Sequence, residues 1–231
     1  MPTIVPEAGC PAALAAFIDH TLLAPATTTD QIIGLCEEAV EYGFASVCVP
    51  PLHVALAAQR LYGSSVRVGT VVGFPCGYNM LRQKVVETGD LLAAGAEEID
   101  MVISLSHLLE KRLDLLEEEI AQVVMAAHQA QVKVIIECCF LQSDQKIAAT
   151  RTAIKAGAAY VKTSTGFGPS GATVDDVRLL AQIADGRIGV KAAGGIRTLV
   201  AFQQMIAAGA TRIGTSSGVQ ILDQWLRQEA D

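Results

Sequence analysis

Four times along the chain a helical pattern stops at a glycine and an apolar strand begins within a few residues. Glu41-Tyr42-Gly43-Phe44-Ala45 precedes Val47-Cys48-Val49, and Ala94-Gly95-Ala96 precedes Ile99-Asp100-Met101-Val102. Ala156-Gly157-Ala158 precedes Tyr160-Val161-Lys162, and Ala208-Gly209-Ala210 precedes Arg212-Ile213-Gly214-Thr215. A glycine just past the last helical residue is a common stop signal, because it accepts the left-handed conformation that ends the helix. These glycines stand 52, 62 and 52 residues apart. Each interval has room for two strand-helix units, and a second strand is readable in every gap. Strands are predicted near 17–20, 46–49, 66–72, 99–103, 132–137, 160–163, 188–191 and 212–215, with amphipathic helices including 30–41, 81–94, 111–129, 143–156 and 174–184. Eight alternating units in 231 residues predict the α/β class and a TIM (β/α)8 barrel. The expectation is a single domain over 1–231 with a short N-terminal extension over 1–12; a doubly wound sheet is the competing architecture.

Composition narrows the function. A net charge of −7 and 5 % aromatic residues argue against a nucleic-acid or anionic-membrane partner. No apolar run approaches a membrane span, and 1–7 lack the basic start of a signal peptide, so a cytoplasmic protein is expected. The six cysteines, Cys10, Cys36, Cys48, Cys76, Cys138 and Cys139, contain no C-x-x-C pair and read as reduced thiols. His20, His53, His107 and His128 show no i, i+3 or i, i+4 pairing, so no metal is expected.

A barrel of this kind builds its site from the C-terminal ends of its strands. Lys162 lies in the apolar strand Ala159-Tyr160-Val161-Lys162-Thr163, and Lys191 lies in Ile188-Gly189-Val190-Lys191-Ala192. A strand lysine can reach the surface or neutralise a buried acid. It can also be a nucleophile, since desolvation disfavours the ammonium and favours the free amine. Two such lysines at neighbouring strand ends are expected to lower each other's pKa. Asp100 has apolar neighbours on both sides, whereas Glu97 and Glu98 read as a solvated loop pair. Lys191 is the natural partner for Asp100, either in a core ion pair or as the proton carrier that Schiff-base chemistry requires. At the ends of the last two strands, Gly194-Gly195-Ile196-Arg197 and Gly214-Thr215-Ser216-Ser217-Gly218 each open a helix, a pattern suited to holding phosphate on backbone N–H groups.

Several motifs resemble the deoxyribose-phosphate aldolase family. They are Asp19-His20-Thr21, Val71-Val72-Gly73-Phe74-Pro75-Cys76-Gly77, Glu98-Ile99-Asp100-Met101-Val102, Lys133-Val134-Ile135-Ile136-Glu137, Val161-Lys162-Thr163-Ser164-Thr165-Gly166 and Val190-Lys191-Ala192-Ala193-Gly194-Gly195-Ile196-Arg197. The likeness runs from about Phe17 to Trp225. It implies a class I aldolase on a TIM barrel, with no metal or other cofactor, that interconverts 2-deoxy-D-ribose 5-phosphate with acetaldehyde and D-glyceraldehyde 3-phosphate in deoxyribonucleotide catabolism and carbohydrate degradation. By this resemblance Lys162 forms the imine, Lys191 depresses its pKa, and Asp100 exchanges protons with Lys191 through a water. Gly166, Gly194, Gly195, Gly214, Ser216 and Ser217 would hold phosphate, and Thr21 and Thr165 would face sugar hydroxyls. Asp19, Cys48, Phe74 and Phe167 are candidates for lining the pocket, and a homodimer is the expected assembly.

Three departures qualify the likeness. Phe167 stands where some members carry a phosphate-contacting lysine, which implies weaker phosphate binding and better tolerance of neutral aldehydes. Cys138 replaces a threonine after Lys133-Val134-Ile135-Ile136-Glu137. The sequence ends at Gln228-Glu229-Ala230-Asp231 without a tyrosine-ended tail, so lower turnover than in tailed members is expected. His20 reads equally as a site residue and as a core histidine, and Leu113, Leu116, Ile120, Val123 and Val124 read as barrel packing. The alternatives are another lysine-imine barrel aldolase and a non-catalytic phosphate-binding barrel.

Overall fold

The computed structural model describes residues 11–230. Cys10 and most of the predicted extension lie outside them. Eight parallel strands close into a barrel in sequential order, each paired with its neighbours and β8 returning to β1. The strands are β1 (Ile18–Thr21), β2 (Ser46–Val49), β3 (Arg67–Val72), β4 (Glu98–Val102), β5 (Gln131–Ile135), β6 (Tyr160–Lys162), β7 (Gly189–Ala193) and β8 (Arg212–Thr215). A short helix α1 (Pro11–Ala15) precedes the barrel. The outer layer comprises α2 (Thr29–Tyr42), α3 (Val54–Leu61), α4 (Leu81–Ala93), α5 (Leu105–Leu109), α6 (Leu113–Ala126), α7 (Ser143–Lys155), α8 (Val174–Ala184), α9 (Leu199–Ala207) and α10 (Gly218–Ala230). No helix among the described residues is long and apolar enough to cross a membrane.

The glycine punctuation has the conformation that the sequence demands. Gly95 and Gly209 adopt φ of 106° and 108°, and a Cβ there would come within 2.6 Å of Ala58 and 2.5 Å of Ala181. Any other residue would be strained in its backbone and would push on the neighbouring helix. Helix starts are equally local. Thr28, Thr173 and Thr198 each accept the N–H three residues on through the side-chain hydroxyl, satisfying a donor the helix itself leaves free.

Strand alternation divides the residues between two environments. Ile99 and Met101, Val132 and Val134, Val161, Val190 and Ile213 are buried in the apolar layer with Ile32, Leu116, Ile120, Val123, Leu180 and Phe202 of the helices. The residues alternating with them point into the barrel and include most of its buried charges.

Several boundaries differ from those predicted. β5 stops at Ile135 because Glu137 takes a left-handed conformation (φ 51°) and leads into a 3-10 turn. β6 ends at Lys162, where the Thr163 hydroxyl takes over by accepting from the Ala193 N–H (3.1 Å) and donating to the Ala193 carbonyl (3.2 Å). The helix predicted over 111–129 is trimmed at both ends, by Lys111 (φ 60°) and His128 (φ 50°), to α6, and a separate short helix, α5, precedes it. On α6, Leu116, Ile120 and Val123 are buried as predicted, but Leu113 is exposed. The five described cysteines are free thiols.

Candidate active site

The barrel interior carries charge where an apolar plug would be the simplest filling. Asp100 on β4 is fully buried and accepts three lysine contacts: Lys162 Nζ at 2.7 Å and Lys191 Nζ at 2.6 Å on Oδ2, and Lys133 Nζ at 2.8 Å on Oδ1. Asp19 on β1 meets Lys191 Nζ at 2.5 Å and Arg212 Nη1 at 2.5 Å. Glu98 on β4 takes Lys133 Nζ at 2.6 Å and the Arg212 guanidinium at 3.3 Å. The register explains these meetings, since Asp100 pairs with Lys133, Lys162 with Lys191, and Lys191 with Arg212 across adjacent strands. Gly214 on β8 keeps space for the Lys191 stem, because a Cβ there would stand 3.1 Å from its Cε.

These contacts set the protonation of each group. Burial pulls the Lys162 amine below its ordinary pKa, Asp100 opposes the fall, and Lys191 adds to it. Burial also acts on Lys191, but Asp100 and Asp19 outweigh it and hold that ammonium above its ordinary value. The mutual lowering expected from sequence is therefore one-sided, because Lys191 has two carboxylates and Lys162 shares one. Burial alone would raise the Asp100 carboxyl, yet Lys133, Lys162 and Lys191 hold it well below the usual range. The Asp100–Lys191 contact is direct, with no gap for an intervening water.

Above this network lies a cavity of about 310 Å3, with Lys162 on its floor. Its lining includes Thr21, Thr165, Gly166, Phe167, Gly194, Gly195, Gly214 and Ser216. Lys162 is 2 % exposed, so the amine is reached through the cavity and is otherwise enclosed. Arg197 places a cation at the glycine end. Asp100 and Lys191 sit beneath the floor, in contact with each other, and Asp100 touches Lys162.

Other predicted members fall elsewhere. Ser217 turns away from the cavity: its N–H donates to the Thr215 hydroxyl (2.9 Å), and it borders a neighbouring groove with His20 and Glu38. Asp19 does not line the pocket, because it is fully buried below it in the charge network. Cys48 lies in the barrel interior, where burial pushes its thiol up to about 11 with Asp100 adding to the rise. Phe74 stands behind the wall, its ring edge-on to Phe167 at 5.3 Å. His20 contacts Glu38 on α2 at 2.7 Å and stacks obliquely on Phe44.

Three residues escaped the sequence reading, and a fourth, Glu137, was visible as a polar strand-end residue but without its role. Glu98 is no solvated loop residue; it is the first residue of β4 and is fully buried against Lys133 and Arg212, while Glu97 does face solvent. Lys133 satisfied the criterion that selected Lys162 and Lys191, a lysine inside an apolar strand, in Val132-Lys133-Val134. Arg212 opens β8 with its guanidinium 5.6 Å from the centre of the Tyr160 ring. Glu137 accepts the Thr165 N–H at 3.2 Å and the Thr165 hydroxyl, and that hydroxyl in turn accepts from the Phe167 N–H at 3.0 Å. The loop after β6 is thereby fixed on the end of β5, and the Thr165 donor is already committed.

Chemically, the floor of the cavity presents a lysine with a lowered pKa beside an ionised carboxylate and an ammonium, the set required for imine formation and proton transfer next to it. The sequence matches the model of the DeoC/LacD family aldolases over residues 13–224. It is 49 % identical over 218 residues to a deoxyribose-phosphate aldolase of Caldanaerobacter subterraneus subsp. tengcongensis, covering 93 % of this chain and 94 % of that protein. It is 50 % identical over 214 residues to one from Thermococcus kodakarensis, covering 91 % and 96 %. Among solved structures, a tetrameric deoxyribose phosphate aldolase from Aeropyrum pernix superposes with a TM-score of 0.88 at 34 % identity, over 95 % of this chain and 93 % of that one.

Proposed function

This chain belongs to the DeoC/LacD family of aldolases, and on that premise we propose that it is a class I aldolase cleaving 2-deoxy-D-ribose 5-phosphate reversibly to acetaldehyde and D-glyceraldehyde 3-phosphate. The observation that carries the reading is the Lys162 amine on the cavity floor, sharing a single carboxylate oxygen with Lys191. In the synthetic direction the free amine adds to the acetaldehyde carbonyl, and loss of water from the carbinolamine gives the iminium. The iminium positive charge acidifies the neighbouring methyl group. Removal of a methyl proton gives an enamine, whose carbon attacks the acceptor aldehyde and forms the new carbon-carbon bond. Water then releases the product from Lys162. Asp100 and the Lys191 ammonium supply the acid-base partner for these proton movements.

The acceptor phosphate fits the glycine end of the cavity. There Gly166, Gly194, Gly195, Gly214 and Ser216 converge near Arg197 and the start of α10, backbone and charge suited to a dianion. Phe167 occupies part of this wall and is 48 % exposed, an apolar surface for the acceptor chain. A phosphorylated sugar does not cross a bilayer unaided, which supports a cytoplasmic enzyme. We also read the chain as one domain with 1–12 as an extension, working as a homodimer. The test is borohydride reduction in acetaldehyde followed by peptide mapping. One ethyl group on Lys162 is expected, and labelling elsewhere or no adduct in folded protein overturns the reading.

A further inference from the structure

Every strand of the barrel sends a polar or charged group toward Asp100 or its partners. β1 contributes Asp19, β2 Cys48, β3 Arg67, β4 Glu98 and Asp100, β5 Lys133, β6 Lys162 with Tyr160, β7 Lys191 and β8 Arg212. Arg67 reaches Glu98 at 3.5 Å from a half-exposed position, where water screens it. Burial keeps the Cys48 thiol protonated at neutral pH. The enclosed charges are then three carboxylates, Asp19, Glu98 and Asp100, and four cations, Lys133, Lys162, Lys191 and Arg212. With all four cations protonated the interior carries a net positive charge; with one neutral it balances. Enclosed charge without a counter-charge is costly, so the cluster sheds one proton.

Geometry decides which group gives it up. Arg212 remains charged in proteins. Lys133 bridges Glu98 and Asp100 with Asp19 at 3.6 Å beyond them, and Lys191 bridges Asp19 and Asp100, so each holds at least two carboxylates. Lys162 holds one oxygen, which Lys191 also holds. We infer that Lys133 is a positioning residue for the aldolase reaction, occupying Asp100 Oδ1 and Glu98 so that the buried carboxylates are neutralised without Lys162 and its amine is left free. The opposite pKa directions of Lys133 and Lys162 accord with this division. The inference rests on Lys162 being the imine-forming residue, and it adds that the free amine is set by a residue that lines no part of the cavity.

The experiment follows acetaldehyde trapping on Lys162 with cyanoborohydride across pH, mapped by peptide mass. It uses full-length parent, Glu98→Gln, Lys133→Met and the double variant, with cooperative melting checked for each. Removing the Lys133 cation leaves a carboxylate charge for Lys162 to balance, so the trapping midpoint should rise by about one pH unit or more. Glu98→Gln removes an anion and should lower the midpoint, and the double variant should return it toward the parent. If Lys133→Met does not fold, the downward shift in Glu98→Gln and the restored midpoint of the double variant carry the test. Coincident midpoints, or a rise in Glu98→Gln, overturn the inference while leaving the aldolase reading intact. Absence of any Lys162 adduct in the parent overturns both.

Discussion

Lys84 on α4 and Lys162 on β6 are both buried, yet their surroundings differ in kind. Lys84 Nζ has three acceptors for three N–H donors: the Gly77 carbonyl at 2.6 Å, the Val102 carbonyl at 2.8 Å and Glu119 Oε1 at 2.5 Å. Glu119 also accepts the Ser104 N–H at 2.9 Å through its other oxygen. The pair thus ties the loop after β3 to the end of β4 and to α6. Lys162 has one acceptor, Asp100 Oδ2, and above it a cavity. Burial lowers both amines, with Glu119 opposing at Lys84 and Asp100 at Lys162. A buried ammonium with every donor engaged is a structural tie. One with a single shared acceptor can lose its proton at little cost, which suits Lys162 to the role proposed for it.

The comparison breaks most visibly at Lys162. Lys162→Met is expected to reduce acetaldehyde trapping and aldol turnover to background while the thermal melt stays at or above that of the parent; retained turnover in this variant would refute the assignment. Lys84→Met should do the reverse, leaving Glu119 charged and unpaired and costing about 3–5 kcal/mol of stability. A urea midpoint within error of the parent would show that Lys84 is no tie. Lys191→Met removes the cation that competes for Asp100, so the Lys162 pKa should rise and the pH profile of trapping should move up by about one unit. An unchanged profile would separate the two lysines energetically.

The smallest effect lies in acid. Asp100 and Asp19 are both held below the ordinary carboxylate value, with burial opposing and the neighbouring cations winning. Their contribution to stability is therefore complete above that ordinary value and declines as pH falls through the folded-state values. Asp100→Asn lacks its share, so its melting temperature should drop less than that of the parent between about pH 4 and about pH 2. Equal drops in the two proteins would place the acid sensitivity elsewhere.

Much of this arrangement was legible in the sequence because it is local. The glycine stops, the threonine caps and the apolar strand runs are set by neighbouring residues, and they give eight units and hence the barrel. Lys162, Lys191 and Asp100 stood out because each interrupts an apolar strand. Glu98 did not, because Glu97 beside it faces solvent and burial switches from one residue to the next at the start of β4. Ser217 and Asp19 were misplaced for a related reason. Membership in a strand end is visible in sequence, but whether a side chain points up into the cavity, down into the barrel or sideways under a helix depends on closure. The role of Glu137 rests on a backbone conformation unusual for a glutamate, which no neighbouring residue announces.

The order in which the interior charges occur along the chain carries one more consequence. All three enclosed carboxylates, Asp19, Glu98 and Asp100, come from β1 to β4, and all four enclosed cations, Lys133, Lys162, Lys191 and Arg212, come from β5 to β8. In their fully enclosed groups the two halves of the barrel are electrostatic complements, with the half-exposed Arg67 on β3 as the exception at the rim. Apart from the Arg67–Glu98 contact, every ion pair of these groups joins one half to the other, so closing the ring is also what neutralises its interior.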